Sequence, residues 1–200
     1  MMKRLAHLII CCVIAVVVSG CASSTPSRFY TLNSTTVSVP AVMPQAGYSV
    51  SVGPVSVPDA VDRPQIVVRT GPNQVSVGEF DRWASPLKNS IGHVVVENLV
   101  SMLESAQVTL FPRSTAAGAS YRVVIDILRF ESELGKAATL DVLWTVSSSK
   151  NGQSRRGHTT LVEPAQGAGY ADLAAAHSRA LGQLSFEIAG TIRGFEALQP

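Results

Sequence analysis

Apolar residues fall along this 200-residue chain in three rhythms. The first is a continuous block, in which every position from Leu5 to Val18 except His7 is apolar. The second is alternation, which marks strands whose two faces meet different surroundings. It begins at Tyr48, with Val50, Val52, Val55 and Val57 set around Gly53-Pro54, a break that predicts a bulge or a sheet-edge position. Beyond the Pro58-to-Pro64 turn, Gln65 to Arg69 and Gln74 to Val77 flank Gly71-Pro72-Asn73 and predict a hairpin. Val108 to Phe111, Tyr121 to Phe130 and Thr139 to Val146 read as three more strands, and Asn151-Gly152 turns the last of them into a strand at Thr159 to Val162.

The third rhythm has the 3.6-residue period of a helix and occurs twice. Ser85-Pro86 has the form of an N-cap followed by proline at the first helical position. From there Leu87, Ile91, Val94, Val95, Leu99, Met102 and Leu103 make one apolar stripe, leaving His93 and Glu97 on the solvated side. Between Tyr170 and Ile192 a second stripe runs through Leu173, Ala176, Ala180, Leu181, Leu184, Ile188 and Ile192. This order predicts an α+β fold: a single α/β sandwich domain in which a mixed or antiparallel sheet is covered by two long helices.

The opening block changes the picture from fold to location. Met1-Met2-Lys3-Arg4 and an apolar core of about 14 residues match a secretory signal, whereas a spanning helix needs about 20. The core ends in Val18-Ser19-Gly20-Cys21, a lipobox, so residues 1–20 are expected to be removed and Cys21 to carry lipid. One acyl chain binds a membrane marginally, but two or more hold a protein stably. Ala22, rather than Asp, follows the cysteine, which by the enterobacterial sorting rule directs a lipoprotein to the periplasmic face of the outer membrane. Residues 21–47 are rich in Ser, Thr, Pro and Ala and read as a tether to a domain over 48–200. As a coil, its 26 residues after Cys21 have a reach of roughly 30 Å on average and about 85 Å at full stretch. Arg28-Phe29-Tyr30-Thr31-Leu32 interrupts that composition and is equally readable as a strand of the domain.

Charge and cysteine content then remove whole classes of function. Loss of residues 1–20 takes two of the 16 basic side chains and none of the 14 acidic ones, leaving both counts at 14. A neutral chain without a basic run lacks the footprint of a nucleic-acid binder. Of the three cysteines, Cys11 and Cys12 leave with the signal, so neither an internal disulfide nor a cysteine-held metal is expected. No G-x-S-x-G elbow, Walker A loop or G-x-G-x-x-G occurs, and His93, His158 and His177 have no metal-ligand spacing. Neither a cofactor nor a metal is expected. Asp126 with Asp141, or Glu131 with Glu133, form the weakest remaining catalytic option, against the plainer reading of solvated strand carboxylates. Trp144 is in phase with Leu140 and Val142 and reads as core, while Trp83 reads equally as a packing lid or a partner contact.

Five blocks in order carry a resemblance: Arg28-Phe29-Tyr30-Thr31-Leu32, Val52-Gly53-Pro54-Val55, Asp62-Arg63-Pro64-Gln65-Ile66-Val67-Val68-Arg69, Phe80-Asp81-Arg82-Trp83-Ala84-Ser85-Pro86-Leu87 and Leu184-Ser185. Together with the lipobox they resemble the PqiC/YmbA type of ABC-transport auxiliary lipoprotein. The resemblance implies an α/β sandwich without enzymatic activity, anchored in the outer membrane. Its implied partners are an MCE-domain protein and associated permease components that carry lipid between membranes; a homo-oligomer stays open. Asp62, Arg63, Arg69, Asp81, Arg82 and Trp83 are the candidate contact residues on this view. The bland alternative makes the charged ones ion pairs that fix the turn before the first helix. A rival function is an envelope-assembly lipoprotein that binds peptidoglycan or activates a cell-wall enzyme.

Overall fold

The computed structural model describes residues 25–35, 47–103, 106–112 and 118–198. The signal segment and Cys21 lie outside the described residues. Among the described residues, eight strands and two helices follow in the order β1 (Arg28–Tyr30), β2 (Tyr48–Ser56), β3 (Gln65–Gly71), β4 (Gln74–Trp83), α1 (Leu87–Met102), β5 (Ala106–Leu110), β6 (Tyr121–Glu133), β7 (Ala137–Ser148), β8 (Ser154–Pro164) and α2 (Tyr170–Ala197).

Five strands form a mixed sheet in the order β5-β2-β6-β7-β8. Parallel pairing of β2 with both β5 and β6 needs long crossovers, and α1 supplies one of them. The remaining three strands form a meander joined by antiparallel pairs. Alternation decides which face is buried: Val123, Ile125 and Ile127 of β6 and Leu140, Val142, Trp144 and Val146 of β7 point into the core beneath the helices. At the Gly53-Pro54 break the register slips between Val52 opposite Val123 and Val55 opposite Ile125, so β2 carries a bulge. It is a central strand rather than an edge. Gly53 holds φ +119°, a conformation that glycine alone adopts at little cost.

The expected apolar stripes of both helices are inside. Leu87, Ile91, Val94, Val95 and Leu99 of α1, and Leu173 through Ile192 of α2, are buried, while His93 and Glu97 are exposed. The start of α1 differs from expectation by one residue: Pro86 is itself the cap, with ψ 128°, and its carbonyl accepts the amides of Asn89 and Ser90. No side chain caps this end. At the start of α2, Asp172 reaches back to accept the Gly169 amide at 3.0 Å, placing an acidic group on the positive end of the helix.

Two expectations need correction. The β3–β4 hairpin is not part of the main sheet; it joins β1 in a separate three-stranded sheet, β1-β4-β3. A bulge of β4 between its pairings with Gln65 and Val67 bends the hairpin, and Arg69 then bonds Glu131 of β6. The second concerns Arg28–Leu32, which the sequence left equally readable as tether or strand. Residues 28–30 pair parallel with residues 81–83 of β4, and Leu32 is buried in the core, so the domain takes in residues well before Tyr48.

Candidate anchoring site

The short strand β1 is held by side chains more than by its length. In a strand, positions 28 and 30 share a face, and the register sets Arg28 opposite Asp81 and Tyr30 opposite Trp83. Asp81 is therefore flanked by both. Arg28 grips its carboxylate with two nitrogens at 2.9 and 3.0 Å, and the Tyr30 hydroxyl donates to it at 2.7 Å. The carboxylate is buried although the arginine is mostly exposed. Burial, and then the hydrogen bond to Asp81, raise the Tyr30 pKa above the usual phenol value, so the group stays a donor. Tyr170 lies 6.0 Å away ring to ring, and burial raises its pKa likewise, with the Asp81 charge adding to it.

After β1 the chain crosses both helices as a strap. The Asn33 amide donates to Ser178 Oγ of α2 at 3.1 Å. Asn98 of α1, wholly buried, accepts from the Ser34 hydroxyl at 2.7 Å and the Thr35 amide at 3.3 Å, and donates to Ser185 Oγ at 3.2 Å. Ser178 and Ser185 donate in turn to carbonyls one turn back, so each hydroxyl works as donor and acceptor. Gly182 lies between these serines. A Cβ there would sit 2.3 Å from Thr35 Oγ1, so a larger residue would force the Thr35 side chain to turn away from the helix.

The six candidate contact residues do not form one cluster. Asp62 pairs with Lys88 of α1 at 2.7 Å, tying the turn to the helix start. Arg69 bonds Glu131 at 2.9 Å and the carbonyls of Gly71 and Pro72 at 3.2 and 2.7 Å, bracing the hairpin tip. Asp81 seats β1. Trp83 is 6% exposed and meets Phe130 and His177 edge-on, so it is a packing residue. Arg63 is exposed, and Arg82 bonds the Glu79 carbonyl at 3.4 Å while facing outward. The ion pairs that do form thus reach β1, α1 and β6, and only Asp62 fixes the turn itself. Sequence reasoning missed Asn33, Ser34, Asn98, Ser178 and Gly182, and quoted Ser185 only within a block of the resemblance, without a role. The available signal was Asn98 inside the stripe of α1, with Ser178, Gly182, Ser185 and Ala189 at helical spacing on α2.

The carboxylates weighed for catalysis are bound in other ways. Asp141 accepts from His158 at 2.7 Å, Thr160 at 3.0 Å and Arg129 at 3.1 Å. The His158 bond is the main cause that holds its pKa below the usual value, the opposite of what a general acid requires. Asp126 accepts from Ser56, Glu131 from Arg69, and Glu133 from Lys136. His177 is wholly buried, stacked on Phe130 at 3.7 Å and bonded to Ser132 Oγ at 2.8 Å; burial pushes it down to about 3. Among the described residues, no three His, Cys, Asp or Glu side chains are placed to hold a metal ion. No described helix is long and apolar enough to cross a membrane.

The fold and this corner define an α/β sandwich in which residues 31–35 are strapped onto the domain's own helices. Comparison with protein families identifies the group: residues 30–189 match the model of the ABC-type transport auxiliary lipoprotein component, and the chain belongs to that family. Among solved structures, protein XCC0632 from Xanthomonas campestris, of the DUF330 family, is similar at 25% identity and TM-score 0.66, over 87% of this chain and 100% of its own. A solved protein described only as uncharacterized is similar at 22% identity and TM-score 0.70, over 84% of this chain and 99% of its own. The second likeness bears on the fold alone. No curated protein matches the chain.

Proposed function

We propose that this chain is a non-enzymatic docking component held by lipid on Cys21 to the periplasmic face of the outer membrane. There it receives an MCE-domain protein which, with a membrane permease, carries lipid between the two membranes. Membership of a transport auxiliary lipoprotein family is the observation that carries this reading. The binding of the four carboxylates into ion pairs and hydroxyl contacts agrees with a role that needs no acid or base. Asp62, Arg69, Asp81 and Trp83 act as framework, and only Arg63 and Arg82 keep charge turned outward.

The test uses the full-length protein expressed from its own signal. Mass spectrometry of the mature N-terminus is expected to find acylated Cys21, and density separation to place it with outer membranes. Crosslinking in intact cells followed by affinity capture is expected to recover an MCE-domain protein. Capture of wall-synthesis proteins in its place would overturn the reading and favour an envelope-assembly role. Because Trp83 is buried, Trp83→Ala would report on stability and is no test of contact.

A further inference from the structure

The distance along the chain from lipid to domain is much shorter than composition led one to expect. Between Cys21 and Arg28 lie six residues, and β1 is fixed at Arg28 by Asp81. Eight steps from Cys21 to Phe29 span at most about 28 Å, and roughly 16 Å as a flexible coil. The longest strands, β6 and β7, have 13 and 12 residues, so the sheet is about 40 Å long. The anchor is thus shorter than the domain, and the β1 corner is the part it holds.

The surface at that corner is of a distinct kind. On the face of β1 opposite Asp81, Phe29 is 64% exposed. Its register partner is Arg82, whose own antiparallel partner is Gln65, so one rung runs Phe29, Arg82, Gln65 across the three strands. Arg63 is exposed two residues before Gln65, while Arg28 is on the other face, paired with Asp81. A phenylalanine this exposed beside Arg82, on the rung that leads toward Arg63, is poorly placed for solvent and well placed for a headgroup layer. Aromatic rings settle at the polar–apolar boundary, and guanidinium groups bond lipid phosphates while covering apolar surface.

We propose that the β1 corner rests on the lipid surface, with Phe29 in the headgroup layer and Arg63 and Arg82 directed at lipid phosphates. This inference rests on the reading of Cys21 as the lipid site. It also fixes the domain's orientation: the β7–β8 turn at Asn151 stands at the far end of the sheet, turned into the periplasm, where a partner has access.

The test places the acylated full-length protein in vesicles of phosphatidylethanolamine and phosphatidylglycerol, with and without brominated acyl chains. Phe29→Trp is compared with Asn151→Trp, each against the parent, whose Trp83 and Trp144 give a common background. The added emission of Phe29→Trp is expected to be quenched by bromolipid by about twofold or more, as for a ring at the boundary. That of Asn151→Trp is expected to be unchanged. Equal emission with and without bromine for Phe29→Trp, in protein that floats with the vesicles, overturns the orientation and leaves the anchor standing. Protein that carries no acyl group on Cys21 and fails to float overturns the anchor reading and this inference with it.

Discussion

The strap side and the hairpin side of this domain are held by different chemistry. Where residues 33–35 cross the helices, the contacts pass through buried groups, Asn98, Ser178 and Ser185, each with its hydrogen-bonding capacity used from both directions. Where β3 and β4 stand over β6, the apolar packing of Ile66, Val68 and Trp83 is joined by one polar link, the Arg69–Glu131 ion pair, whose side chains are about a third exposed. Beneath the hairpin a groove of about 290 Å³ stays open, lined by Val61, Val67, Val75 and Leu128 among others. Buried, fully partnered polar groups are costly to disturb because a lost partner leaves a desolvated group behind. Exposed pairs are screened and contribute little. The end of the domain nearest Cys21 is thus the one built not to yield.

The comparison breaks most clearly at Asn98. Asn98→Ala takes one partner each from Ser185, Ser34 and the Thr35 amide and leaves a hole between the helices, so a loss of about 3 kcal/mol in urea unfolding is expected. Hydrogen exchange of residues 33–35 should rise at the same time. If stability falls and the strap amides stay protected, the strap is held by something other than Asn98.

A second probe is pH, since the core between the two regions contains His177. Its folded pKa of about 3 lies below the ordinary value near 6.5, so below pH 6.5 the unfolded chain binds a proton that the folded one refuses. The contribution of the neutral imidazole is whole above pH 6.5 and is lost as pH falls toward 3, by about 1.4 kcal/mol per unit. At pH 5 that amounts to about 2 kcal/mol. His177→Leu should remove this slope between pH 6.5 and 5 in denaturation curves. An unchanged slope would locate the acid sensitivity in the carboxylates.

The smallest effect is expected on the hairpin side. Arg69→Ala should cost under about 1 kcal/mol, because the pair is partly solvated. It should raise hydrogen exchange at Gly71–Gln74 without touching the strap. A loss as large as that at Asn98 would erase the distinction between the two sides.

The elements that repeat a simple period were legible in the chain, and those set by single residues were not. Both helices, the Asn151-Gly152 turn and the β3–β4 hairpin follow from spacing and turn chemistry, because each buries one face of a regular element. The separate small sheet was hidden. Nothing in the alternation of Gln65–Arg69 states which sheet it joins; the bulge of β4 and the partner Glu131 decide that, and both are tertiary facts. The seat of β1 was equally hidden, since three residues carry too little pattern to outweigh the Ser, Thr and Pro around them. Of the candidate residues, Asp81 and Trp83 were found by resemblance and turn out to pack inward, while Asn98 went unnoticed because one polar position in an apolar stripe looks like a lapse.

The direction of β1 has a mechanical consequence. It runs parallel to β4 as the first described strand of the chain. If Cys21 carries lipid as proposed, a pull on the acyl chains along the strand axis loads its rungs in shear, all at once, instead of peeling them one by one as at the end of a hairpin. Asp81 doubles as a cleat at the first rung and the strap over Gly182 takes up the load behind it. In the proposed docking role, a partner pulling on the far end of the sheet would pass its force to the membrane through a joint that resists sliding, and the domain would move with its anchor as one piece.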